Sequence, residues 1–107
     1  MGRAKRDSQT ELKSAQEVAS FILRTCASLR HFEPYMFGSS LSGIGSDFDI
    51  LIIGPNHAPL SELKAEMRMA AQALPLDVLY MLPEEQHETS FINLQGCVSL
   101  HVIASLY

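Results

Sequence analysis

Asp47 and Asp49 stand two residues apart at the head of Phe48-Asp49-Ile50-Leu51-Ile52-Ile53, a run that otherwise reads as a buried strand. Side chains two apart on a strand share a face, so the two carboxylates project together while Phe48, Ile50 and Ile52 point the other way. Burying an unpaired carboxylate is unfavourable, and a second one beside it makes ionising both harder, so such a pair asks for a compensating cation. A third acid, Asp77, lies between Leu76 and Val78 in another apolar run. If the two strands are neighbours, all three acids meet at one end of a sheet. Converging carboxylates suit an oxygen-seeking divalent ion such as Mg2+, which takes one or two carboxylates and fills its other positions with water and phosphate oxygens. The preceding turn, Gly38-Ser39-Ser40-Leu41-Ser42-Gly43, offers the complementary half: open backbone N–H groups and hydroxyls with little side-chain bulk, suited to phosphate oxygens. Taken singly, a Gly-Ser cluster marks a plain loop and a Ser-Asp pair, here Ser46-Asp47, a plain turn. It is the conjunction along one short stretch that carries chemistry.

The elements that must position these residues follow from periodicity. Ser8-Gln9-Thr10-Glu11 has capping-box form, and Leu12, Ala15, Ala19, Ile22, Cys26 and Leu29 recur at steps of three and four, predicting an amphipathic helix of about five or six turns. Pro34 ends it, because a proline disfavours helix at the residue before it. Tyr35-Met36-Phe37 reads as a short strand entering the loop 38–46, and residues 47–53 as a strand buried on both faces. After Gly54-Pro55-Asn56, a second helix follows Pro59, with Leu60, Leu63, Met67, Ala70, Ala71 and Leu74 on its apolar stripe and Glu62, Lys64, Glu66 and Arg68 off it. Pro75 stops that helix, residues 76–82 form a third strand, and Pro83-Glu84-Glu85 opens a short helix. Beyond Gly96, the alternation of Val98, Leu100 and Val102 predicts a strand with an apolar, frayed end. The order predicts an α/β (α+β) fold, a mixed β-sheet flanked by helices.

The 107 residues, 47% hydrophobic and 19% charged, suffice for one domain, with residues 1–7 expected to be disordered. A net charge of -4 argues against nucleic acid as a general partner, and the basic cluster Arg3, Lys5 and Arg6 reads as a solvated end. No apolar run reaches the roughly 20 residues of a membrane span, so a cytoplasmic protein is expected. Cys26 and Cys97 read as buried thiols, and His31, His57, His87 and His101 lack metal-site spacing. Leu100, Val102, Ile103, Leu106 and Tyr107 make an apolar ending that predicts self-association or a helical partner, against the competing expectation that it folds onto the first helix.

Gly38-Ser39, Gly43, Ser46-Asp47-Phe48-Asp49 and the downstream Asp77 resemble the GS-x-G-SD-x-D signature of the DNA polymerase β-like nucleotidyltransferase superfamily. The short chain is similar to its minimal, stand-alone branch, often encoded with HEPN-type partners in toxin-antitoxin pairs. The resemblance covers Tyr35 to about Leu82, and Leu41-Ser42 stands where many minimal members carry a basic residue. It implies a nucleotidyltransferase-like fold in which Asp47 and Asp49 hold two Mg2+ ions, Gly38 and Ser39, with Ser46, hold the triphosphate of an NTP, and Asp77 ligates one metal and helps deprotonate the attacking hydroxyl. The implied activity is transfer of a nucleoside monophosphate, expected to be AMP from ATP, to a hydroxyl on a HEPN-type protein partner. The alternative is a catalytically weak or inactive member of the same fold that neutralises its partner by binding.

Overall fold

The strand that carries Asp49 lies in the interior of the sheet. In the computed structural model, which describes residues 14–42 and 47–105, four strands form one mixed sheet: β1 (Glu33–Phe37), β2 (Phe48–Ile53), β3 (Leu76–Met81) and β4 (Val98–Ser99), in the order β3-β2-β1-β4. β1 runs antiparallel to β2 and β4, whereas β2 and β3 are parallel and in register from Phe48 opposite Leu76 to Ile53 opposite Met81. A parallel pair needs a crossover, and helix α2 (Ala58–Ala73) supplies it. Pro59 sits in its first turn, where a missing N–H is harmless, and Leu63, Met67 and Ala70 are buried on its inner face. Ala71, expected on that stripe, is exposed, and the helix stops before Pro75 as the sequence predicts.

Helix α1 (Ala15–Thr25) packs beside α2 through Val18, Ala19 and Ile22. Its N-terminus is a capping box one turn and a half further along than expected: the Ser14 hydroxyl accepts from Glu17 N–H at 3.1 Å, and the Glu17 carboxylate accepts from Ser14 N–H at 2.9 Å. The Ser8 to Glu11 box lies outside the described residues. The stripe does not continue as one helix to Leu29, since α1 ends at Thr25 and a 3-10 turn spans Ala27–His31. The reason is Glu66, a residue expected to be solvated. Its carboxylate accepts from both Ser28 N–H and Ser28 Oγ–H at 3.0 Å each, taking the amide that a longer helix would have bonded to its own carbonyl.

One face of the sheet closes on α1 and α2 through Met36, Ile50 and Ile52, which pack with Ile22, Leu63, Met67 and Leu100. The other face of β2 is also buried, at Leu51 and Ile53. On that side two short helices follow β3: α3 (Pro83–Thr89) and α4 (Phe91–Gln95), the second unforeseen from sequence. Phe91 meets Phe37 edge-to-face, ring centroids 5.2 Å apart. The Gln86 side chain accepts from Ile92 N–H at 2.9 Å, starting α4, and Gly96 at φ 62° ends it while Cys97 N–H returns to Ile92 C=O.

The chain end departs from expectation. β4 is only two residues long, and Leu100–Ala104 is a helix, α5, capped by the Ser99 hydroxyl on His101 N–H. Leu100 and Ile103, three apart, are buried against α1, Gln16 Nε2 donates to Ala104 C=O at 3.2 Å, and Val102 is left outside. The alternation had suggested a strand; the i, i+3 pair decides for helix. The buried part of the ending therefore belongs to the protein's own core, as the competing expectation of packing onto the first helix has it; Leu106 and Tyr107 lie outside the described residues. Cys26 and Cys97 are both free, and burial pushes each thiol's pKa up. Among the described residues no helix is long and apolar enough to cross a membrane.

Candidate functional site

The site is assembled where β1 hands over to β2. Phe37, the last residue of β1, pairs with Asp49, so the segment between them must leave the sheet and bring the chain back beside itself. Gly38 makes that turn possible in two ways. Its φ of +76° lies in the left-handed region, and a Cβ placed there would stand 2.7 Å from Asp49 Oδ2. The carboxylate leans over a position that only glycine leaves open. Gly38–Ser42 then winds into a 3-10 turn rather than an irregular loop.

Ser40, at 1% exposure, fastens that turn to the acidic strand. Its hydroxyl donates to Phe37 C=O at 2.6 Å and accepts from Asp49 N–H at 3.1 Å, bridging the end of the β1–β2 ladder. Nothing in the sequence distinguishes Ser40 from its neighbour Ser39, which is exposed and free to face a ligand. Leu41 turns inward and packs on the core.

The parallel pairing of β2 and β3 places Asp49 directly opposite Asp77, as expected if those strands were neighbours. Asp49 is half-buried, Asp77 exposed, and Asp47 exposed immediately before β2 begins. The Asp49 carboxyl is held above the usual carboxylate range, by burial first, then by the charge of Asp77, then by that of Asp47. All three causes act in the same direction. Among the described residues, no cationic side chain relieves them.

Among the described residues, no group of three or more His, Cys, Asp or Glu side chains is gathered closely enough to hold a metal ion. Asp47 thus acts on Asp49 through space without joining a three-carboxylate cage, and the expected cluster is better described as a registered pair, Asp49 and Asp77, with Asp47 alongside. Such a pair fits the needs of Mg2+, which binds through one or two carboxylates with water and phosphate oxygens completing its shell. It offers no nitrogen or sulfur donor of the kind zinc prefers. Ser46 and Gly43, expected to contribute to the phosphate side, lie outside the described residues.

A groove of about 440 Å³ adjoins the pair, walled by Phe37, Val78, Leu79, Phe91 and Gln95. The helix α4 residues in this wall carried no sequence signal, because their role arises from α4 folding back over the sheet. Two other hollows, beside Lys64 and Tyr80 and beside Arg30 and His87, lie around Gly54 at the other end of β2 and contain no aspartate. Comparison with protein-family models, with curated proteins and with solved structures gives no match to this chain. A functional reading therefore stands on these residues and their arrangement.

Proposed function

We propose that this protein is a Mg2+-dependent nucleotidyltransferase that moves a nucleoside monophosphate, AMP in the first instance, from an NTP to a hydroxyl on a partner protein, as a cytoplasmic antitoxin-type modifier. The observation that supports it is the Asp49–Asp77 register pair, with Asp49 against a glycine that starts a hydroxyl-bearing turn. Asp49 and Asp77, with Asp47 beside them, are the residues that would hold Mg2+. The bound metal would supply charge neutralisation at the entering and leaving oxygens of an in-line displacement at phosphorus. Gly38 keeps the space above Asp49 clear, and the exposed Ser39 hydroxyl and the free N–H groups of its turn meet the phosphate oxygens. Asp77, the more accessible carboxylate, takes the proton of the attacking hydroxyl as its bond to phosphorus forms and the bond to pyrophosphate breaks.

A second reading, a binding module with the same fold and little turnover, is favoured by Leu41. That side chain is committed to the core where a cation would serve a triphosphate, and among the described residues the groove beside the acids is lined by neither lysine nor arginine. Thermal melting separates the two. ATP with Mg2+ raises the midpoint more than either alone, and Ser39→Ala reduces the shift. Incubation with Mg2+, each labelled NTP and the neighbouring gene's product then yields a labelled partner. A shift without label selects the binding module, and neither shift nor label with any NTP excludes the enzyme.

A further inference from the structure

The sheet has two edges, and they are finished differently. β4 is two residues long and runs directly into α5, a short edge of the kind that resists further pairing. β3 is six residues long, keeps continuous register with β2 along its whole length, and contains no proline, lysine, arginine or bulge. Its one charge is Asp77.

The direction of its backbone groups can be read from the bonds at its two ends. Phe48 N–H donates to Pro75 C=O at 2.8 Å, and Gly54 N–H donates to Met81 C=O at 3.2 Å. Backbone groups alternate sides along a strand, so Pro75, Asp77, Leu79 and Met81 turn theirs toward β2. Leu76, Val78 and Tyr80 turn theirs away. Among the described residues none of these three N–H or three C=O groups has a hydrogen-bond partner. The row begins one residue from Asp77, and Asp77 and Leu79, the side chains flanking it on the exposed face, line the groove beside the acid pair.

We infer that this edge is the docking site of the acceptor, an extended peptide segment that adds to the sheet as a fifth strand next to β3 and presents a hydroxyl side chain to Asp77; this inference rests on the nucleotidyltransferase reading of the acid pair. Only an extended backbone matches an alternating row of three donors and three acceptors. Side chains of a strand added there alternate faces, so a residue of the added strand falls beside Asp77 on the groove side, within reach of the carboxylate that takes its proton. Two copies of this chain pairing antiparallel about Val78 would instead lay Leu79 of one beside Asp77 of the other, an apolar side chain with nothing to transfer to. The occupant that uses the site is a hydroxyl-bearing peptide.

The test needs neither nucleotide nor metal. The full-length 15N-labelled protein is titrated with the peptide acetyl-Thr-Val-Thr-Tyr-Thr-Val-Thr-amide while amide hydrogen exchange is followed. In the free protein the Leu76, Val78 and Tyr80 amides exchange fast and those of Leu79 and Met81 slowly. At a peptide concentration about ten times its Kd, the three outward amides slow by about tenfold. Val78→Pro, tolerated because its N–H faces outward, abolishes this protection, and Leu79→Lys, which leaves the backbone intact, weakens it. Slow exchange at all three amides without peptide would mean that the chain covers its own edge and would overturn the inference. So would unchanged exchange at saturating shift changes elsewhere, or a sedimenting dimer that Val78→Pro dissolves. ATP with Mg2+, titrated separately, is read at the Gly38 and Asp49 amides: their response without edge protection defeats the docking inference alone, and edge protection without their response defeats the nucleotidyltransferase reading alone.

Discussion

Replacing Ser40 by alanine removes one oxygen atom and with it two hydrogen bonds to the backbone. The hydroxyl accepts from Asp49 N–H and donates to Phe37 C=O, and at 1% exposure it leaves no room for water to substitute from its own side. A buried polar group left without its partner costs about 1–3 kcal/mol. Phe37 and Asp49 remain register partners at the end of the β1–β2 ladder and the adjoining Gly38 and Ser39 are exposed, so direct pairing and partial hydration hold the total to about 1–2 kcal/mol. For a domain of about 100 residues, that lowers the melting midpoint by about 5–15 °C. Urea unfolding followed by circular dichroism measures it, with an unchanged denaturant slope showing that only stability has moved. In the folded fraction, the Asp49 amide exchanges faster, and nucleotide-dependent activity falls by more than the loss of folded protein explains, because Ser40 sets the backbone from which the Asp49 carboxylate projects. A loss below about 0.5 kcal/mol, the range of an indifferent surface substitution, would refute the bridging role.

Two further perturbations test the electrostatics and the packing around the same strand. The Asp49 carboxyl is held above its ordinary range by burial and by Asp77 and Asp47, so its contribution to stability is full below the ordinary carboxylate range and is lost as pH rises through the raised value. Asp49→Asn therefore abolishes transfer yet melts at or above the wild-type midpoint at neutral pH without metal, with the two midpoints converging on acidification; a variant clearly less stable at neutral pH contradicts the repulsion. Gly54→Ala puts a Cβ 2.1 Å from a carbon of the Phe32 ring, which is buried at 8% exposure, and should lose about 1–3 kcal/mol by overpacking, with urea unfolding at wild-type stability showing that the ring gives way freely.

Much of the fold was legible because the decisive signals were local. The apolar run after Asp49 could only be a strand buried on both faces, prolines 59, 75 and 83 punctuate helix and strand where they stand in the sequence, and the lone Asp77 in an apolar run pointed to a shared site with Asp49. The misreadings came from contacts between distant residues. Glu66 looks solvated on a helical wheel, and its capture of Ser28, 38 positions earlier, is what divides the first helix from the 3-10 turn. Leu100 and Val102 fit a strand's alternation, but Leu100 with Ile103 fits the groove against α1, and the tertiary fit prevails over the weaker local pattern. Of the candidate site, Gly38, Asp49 and Asp77 were legible from residue type, whereas Ser40 was not: a buried bridging serine and an exposed one are written with the same letter.

The acid pair also has a property that neither sequence spacing nor side-chain chemistry alone would give it. Two carboxylates on flexible loops can relieve their repulsion by moving apart. Asp49 and Asp77 cannot, because they are partners in a parallel ladder whose strands sit about 4.8 Å apart along its whole length. Apolar residues on both sides of that ladder, Phe48 and Ile50 in β2 among them, lock its register, and a slip by one residue would drive the carboxylates into the core. The repulsion is therefore fixed by topology and can be relieved only by a proton or by a cation. A proton serves in acid, where Asp49 is already inclined to take one. At neutral pH a cation is left, a metal ion under the proposed function, and the substitution that makes the pair uncharged on one side, Asp49→Asn, should remove the repulsion and the reason to bind the ion together.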